Sequence, residues 1–199
     1  MRNMIFRKKI GTAGDFFEKN IAEALPVFLL FLCYMIGFFI GRAIAGNAAP
    51  EKYSAPVTTF FSLPADKTAL WLFLFYLFYT LCDALAGLSV FGFIGIPVLT
   101  ASYGVICGAA IKMIYAVYVG KNAIVPAAAV LPASAFFGAS FLLSGKHAAL
   151  YSFDIYSVFL KRSVKSAENL RQYFIIHAFT FFSGIIASLF SALLLFLFR

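Results

Sequence analysis

The chain has 199 residues, of which 63% are hydrophobic and only 12% charged. A soluble domain usually carries roughly 45–50% apolar residues even with glycine counted, so most of this sequence has no water-facing surface to offer and lipid is its expected solvent. The net charge of +8 excludes nucleic-acid binding as its cause, because the cations flank apolar segments instead of forming a soluble basic face.

The leader, residues 1–25, holds Arg2, Arg7, Lys8, Lys9 and Lys19. Phe17, Ile21 and Leu25 recur at helical spacing, which predicts an amphipathic helix lying on the inner membrane surface. Residues 26–199 then read as one membrane domain. Its first span, 26–45, opens on Pro26, tolerated in a first helical turn. Gly37 and Gly41 give this span a GxxxG face for close helix approach. The small residues at 43–49 imitate a signal-peptidase site, but a run long enough to span behind a 25-residue leader favours an uncleaved helix.

Residues 46–68, with three prolines, read as a loop too small to be a domain. The second span, 69–88, is aromatic-rich, with Trp71 placed as an interfacial anchor. Residues 87–97 contain Gly87, Gly92, Gly95 and Pro97, and predict a broken segment, either a tight turn or a partly re-entrant loop shielded by protein. The third span, 97–120, carries a second GxxxG face at Gly104 and Gly108. The fourth, 123–145, contains Pro126 and Pro132 among small residues and is expected to be interior and kinked. Residues 146–172 form a basic, partly amphipathic segment, and 173–198 make the fifth span.

Five spans agree with the distribution of Lys and Arg. The leader and the 146–172 segment hold five each, against two (Lys52, Lys67) in the first loop, none in the glycine turn and one (Lys121) in the third loop. Both rich segments fall on the cytoplasmic side only with an odd number of helices and the N-terminus inside. The expectation is an all-α, polytopic protein of the cell membrane, with a cytoplasmic N-terminus and an extracytoplasmic C-terminus. Five spans do not divide into equal halves, which weakens an inverted-repeat transporter reading.

Asp83 and Lys112 are the ionisable residues deepest in apolar segments, and such residues are functional candidates. They sit toward opposite ends of their helices, which argues against a pair. Lys112 lies about 12 Å below the outer end of its helix, within snorkelling reach of the headgroups. Asp83 is expected to accept hydrogen bonds from the glycine turn. His147 and His177 flank the basic segment, have no acidic or cysteine partner at ligand spacing, and read as interfacial. The cysteines Cys33, Cys82 and Cys107 read as small hydrophobes. No GxSxG, HExxH, Walker A or paired-carboxylate pattern is present. Neither enzyme activity nor a cofactor nor a metal is therefore expected, and membrane lipid and a second copy of the chain are the partners the residues suggest.

The segment Gly92-Phe-Ile-Gly-Ile-Pro97, the small-residue stretch from Tyr103 to Ala110, Leu131-Pro132 and the basic segment that follows resemble the stage II sporulation protein M family over roughly residues 25–165. The resemblance implies a non-enzymatic membrane scaffold that assembles with the peptidoglycan hydrolases called stage II sporulation proteins D and P at the septal membrane during engulfment. The first outer loop is shorter and the basic leader longer than the family pattern. A small transporter or permease subunit is the alternative, suggested by the broken helices and by Asp83.

Overall fold

Apolar residues so dominate this chain that its helices cannot segregate them to one buried stripe, and the packing inverts the soluble pattern accordingly. The computed structural model describes residues 13–47, 51–118, 124–160 and 170–197, with side chains from residue 24 onward except at 51–53, 65 and 125. The described elements are all helical: α1 (Ala13–Asn47), α2 (Glu51–Ser62), α3 (Ala65–Gly87), α4 (Gly92–Val117), α5 (Ile124–Phe159) and α6 (Leu170–Leu197). Five of them, all but α2, are long and apolar enough to cross a membrane. Large side chains such as Phe39, Phe78, Phe182, Ile186 and Leu189 point outward, 57–60% exposed. Many interior positions, outside one aromatic cluster, go to small or hydroxylated residues, including Ala129, Ser144, Ser152, Thr180, Ser183 and Ser191. Such an outer surface is untenable in water and ordinary in hydrocarbon. The protein is an all-α polytopic membrane protein.

The spans alternate in direction. Gly37 and Gly41 meet Ala101 and Val105, so α1 and α4 run parallel. Phe93 meets Ser152 while Tyr103 meets Ser134, so α4 and α5 run antiparallel. Ser140 accepts from Thr180 and Ala129 from Ser191, which makes α5 and α6 antiparallel as well.

The two GxxxG faces are halves of a single contact. A Cβ at Gly37 or Gly41 would lie 2.0 or 1.9 Å from the carbonyl oxygens of Ala101 and Val105, and one at Gly104 or Gly108 would lie 2.2 or 2.0 Å from those of Tyr34 and Phe38. The hydrogen that replaces each missing methyl therefore points at a carbonyl of the facing helix, a Cα–H···O contact worth about 0.5–1 kcal/mol. Beside this seam lies an aromatic core of Tyr76, Tyr79, Tyr103, Phe137 and Phe141, all buried. Tyr76 stacks on Phe137 at 4.4 Å. Each core phenol finds a partner, Tyr103 donating to the Ser134 carbonyl at 3.0 Å and Tyr76 and Tyr79 pairing with Ser134 and Ser102.

Several sequence expectations are corrected. Residues 46–68 are mostly the helix α2 and its turn at Leu63 and Pro64, not a loop. Pro56 lies within α2, in its second turn, so the helix runs through it at the loss of one i→i−4 hydrogen bond. The third span begins at Gly92, so Pro97 is inside α4 and the break shrinks to residues 88–91, a tight turn with no re-entrant part. Pro126 and Pro132 do not interrupt the fourth span, which runs unbroken into the segment expected to be separate, giving α5 its 36 residues. Pro26 likewise lies within α1, which extends back to Ala13. The facing of Phe17 and Ile21, and the leader residues 1–12, lie outside the described residues.

Candidate functional site

Asp83 sits one turn from the end of α3, and its side chain is fully buried. Buried positions recur along α3 at Tyr76, Tyr79, Thr80, Asp83 and Gly87, one helical face turned toward α5 and α6. A carboxyl group on this face must find partners within protein, since hydrocarbon offers none. It finds two. Ser144 of α5 donates its hydroxyl to Asp83 Oδ2 at 2.8 Å, and His177 of α6 brings Nε2 to 3.3 Å from the same oxygen. The other carboxyl oxygen, Oδ1, has no hydrogen-bond partner among the described residues.

His177 is itself held from behind. Its Nδ1 lies 2.9 Å from the Tyr173 carbonyl oxygen one turn earlier, and its ring lies against the Tyr173 ring, tilted by 35° at a centroid distance of 4.2 Å. A carbonyl can only accept, so Nδ1 carries a hydrogen and donates it. Nε2 is then the nitrogen turned toward Asp83. The 3.3 Å approach is within ion-pair range, but Nε2 is not aligned for a hydrogen bond. Tyr173 completes the clamp: its hydroxyl donates to the Ala84 carbonyl at 2.5 Å, and the same hydroxyl fills the space a Cβ at Gly87 would need. Thus α6 grips the end of α3 through Tyr173 and His177 on successive turns.

The glycine turn is satisfied without Asp83, which corrects the expected role of that residue. Phe93 N–H, in the first turn of α4, donates to Ser152 Oγ at 2.8 Å, while Ser152 donates to the Ser89 carbonyl at 2.6 Å. No side chain of the α4 N-cap residue, Phe91, caps the helix, so Ser152 of α5 supplies the acceptor that a local Ser or Asp would ordinarily give. Gly92 is required there, because a Cβ would lie 1.7 Å from the Ala86 carbonyl oxygen and 2.9 Å from Ser152 Oγ.

The remaining candidates do not converge on Asp83. Lys112 is half-buried near the far end of α4, its Cε beside Gly46 of α1, about 30 Å along α4 from the glycine turn. Gly104 and Gly108 belong to the α1 contact. Gly95 is exposed and a Cβ there would meet nothing within 4 Å. Pro97 is half-buried and Pro132 exposed, and both lie inside continuous helices.

The residue that sequence reasoning misplaced is His177. Its nearness to the start of the span suggested an interface, whereas it is 6% exposed and contacts Asp83. A signal was present: Tyr173, His177, Thr180, Gly184, Ala187 and Ser191 recur at helical spacing as the small or polar face of an otherwise bulky helix, and all are buried. In a membrane that face turns inward.

Chain-wide comparison gives a plain result. No protein-family model, curated protein or solved structure matches this chain.

A cavity of about 1020 Å³ opens at the other end of the bundle, beneath α2 and among α1, α3, α4 and α5. Its walls include Phe38, Phe60, Trp71, Phe75, Ile111 and Leu131. Tyr76 and Ser134 are among its few polar groups, and their hydroxyls lie 3.4 Å from each other. Such walls suit hydrocarbon and give a polar solute almost no partners. No group of three or more His, Cys, Asp or Glu able to hold a metal occurs among the described residues.

Proposed function

We propose that this protein is a non-enzymatic, multi-pass membrane scaffold of the kind that the stage II sporulation protein M family represents, one that gathers peptidoglycan hydrolases at the septal membrane during engulfment. The observation that carries the reading is the backbone-to-backbone seam between α1 and α4, in which four glycines abut four carbonyl oxygens. Helices packed this closely cannot slide or rock without driving backbone into backbone, so the seam favours a fixed platform over an alternating-access device. Polar grips elsewhere add to the rigidity: Ser152 holds the α3–α4 turn, and Tyr173 holds the end of α3. With 36 residues, about 54 Å, α5 exceeds the roughly 30 Å hydrocarbon thickness and offers surface beyond the membrane for a partner.

The resemblance in residues 92–97, 103–110 and 131–132 supplies the partner class, the hydrolases called stage II sporulation proteins D and P. Cross-linking in native membranes, followed by purification of this protein and identification of what is bound to it, tests the proposal. Cell-wall hydrolases are the expected companions. Recovery of a solute-transport complex in their place would refute the scaffold.

The second reading, a small transporter or permease subunit, is favoured by one observation, the buried Asp83–His177 contact. Reconstituted vesicles distinguish the two. A solute flux that Asp83→Asn abolishes, with the variant as abundant and as stable as the parent, would establish transport.

A further inference from the structure

We propose that Asp83 and His177 together form a proton-binding site inside the bundle, the pair holding one proton, carried either on Asp83 Oδ2 or on His177 Nε2. The inference rests on the geometry of the pair and stands whether the protein is a scaffold or a transporter.

The argument begins with Nδ1, which is committed as a donor to the Tyr173 carbonyl at 2.9 Å. If His177 is neutral, Nε2 is a bare, buried lone pair with a carboxyl oxygen 3.3 Å away. An ionised Asp83 would then set two lone pairs against each other and leave a whole negative charge in the membrane interior. Neither is tolerable without compensation, and little compensation is within reach. Ser144 gives one hydrogen bond to Oδ2, shared with the Phe141 carbonyl. Oδ1 has no partner. Beside it, the position of the missing Gly145 side chain is bounded by Ile96 at 3.4 Å, Leu30 at 3.4 Å and Oδ1 itself at 3.6 Å.

The elements packed around the pair present Leu30 from α1 and Ile96 from α4, both apolar and buried. From α5 come Ser144 and, with its ring tilted against that of Tyr173 at 4.9 Å, Tyr151. The Tyr173 phenol of α6 spends its hydrogen on the Ala84 carbonyl. Half-buried Lys146 and His147 follow Ser144 on α5, and exposed Arg171 precedes Tyr173 on α6. No lysine or arginine among the described residues forms an ion pair with Asp83.

One proton resolves the conflict in either of two positions. On Oδ2 it makes a carboxylic acid opposite a neutral imidazole. When it moves to Nε2, the O–H bond breaks as the N–H bond forms, leaving a carboxylate opposite an imidazolium. Both forms have zero net charge. Loss of the proton leaves one buried negative charge, and gain of a second leaves one positive charge, so either change loosens the grip of α6 on α3.

The chain has only two histidines, which makes the test direct. The full-length protein is labelled with ¹⁵N-histidine in lipid nanodiscs, the His147→Gln variant assigns the His177 signals, and infrared spectra of parent and Asp83→Asn assign the protonated-carboxyl band. At pH 7 the expected result is a protonated Nδ1, with the imidazolium fraction of His177 and the protonated fraction of Asp83 summing to one proton. In Asp83→Asn the carboxyl band disappears and His177 becomes a neutral imidazole with hydrogen on Nδ1 alone. Ionised Asp83 opposite neutral His177, two protons on the pair, or a bare Nδ1 in the parent would each overturn the proposal.

Discussion

Asp83 of α3 and His177 of α6, 94 positions apart in the chain, meet at 3.3 Å with side chains that are both buried. Asp83 also accepts from Ser144 at 2.8 Å and His177 donates to the Tyr173 carbonyl at 2.9 Å, but among the described residues Nε2 has no polar contact besides Asp83. Replacing one partner is therefore costlier than replacing both. Asp83→Leu leaves Nε2 buried with nothing to face, a loss of about 1–3 kcal/mol, and His177→Leu leaves the carboxyl with Ser144 alone. The double Leu variant is expected to lose less than the sum of the single losses, as for buried pairs replaced by apolar side chains. Asp83→Asn is expected to fold normally, since its amide can accept from Ser144 and donate to Nε2. Thermal unfolding in detergent measures all four variants, and strictly additive losses would show that the two residues do not interact.

The seam between α1 and α4 makes a sharper prediction than a GxxxG motif alone. Leu at Gly104 or Gly108 must displace the backbone of Tyr34 or Phe38, because even a Cβ would come within 2.2 or 2.0 Å of a carbonyl oxygen. The expected cost is at or above the upper end of the roughly 1–3 kcal/mol seen for overpacked cores. Gly95→Leu on the same helix, with nothing within 4 Å of its Cβ position, is expected to leave stability unchanged. A melting series across the three positions checks the contrast, and equal effects at all three would remove the seam.

Ser152 is expected to matter more than its neighbour Ser89. Ser152→Ala strips the acceptor from Phe93 N–H and the donor from the Ser89 carbonyl, a loss of about 1–3 kcal/mol for the unpaired groups. Ser89 Oγ donates only to Ala86 of its own turn, in an exposed position, so Ser89→Ala is expected to change stability by a few tenths of a kcal/mol at most. Hydrogen exchange at Phe93 reads the difference directly: faster exchange in Ser152→Ala alone is the expected pattern.

Orientation follows from Lys and Arg placement. In a variant freed of its native cysteines, Cys at position 8 or 165 is expected to be protected from an impermeant thiol reagent in intact cells, and Cys at the exposed position 55 to react. Labelling of 8 and 165 from outside would invert the N-inside arrangement.

Much of the architecture was legible in the residues. Runs of apolar residues long enough to span, and an interruption within residues 87–97, mark the helices whatever their packing, because each helix satisfies its own backbone in lipid. Helix ends were less legible. In a soluble protein Pro97 and Pro132 would argue for breaks, whereas here α4 and α5 run through them, since neighbouring helices and local adjustments accommodate the freed carbonyls, and Pro126 falls in the first turn of α5, where no carbonyl is freed.

The sequence by itself determined that the chain crosses the membrane, that Gly37, Gly41, Gly104 and Gly108 are packing positions, and that Asp83 is exceptional. Composition and helical period suffice for these, because each is a property of a single segment against lipid. Only the tertiary structure decided that the two glycine pairs face each other, that Ser152 rather than Asp83 caps α4, and that Asp83 meets His177. Those are relations between helices far apart in the chain. Rotation of a helix about its axis is set by packing against its neighbours, and a window along one segment, bulky and apolar on nearly every side, carries little record of it.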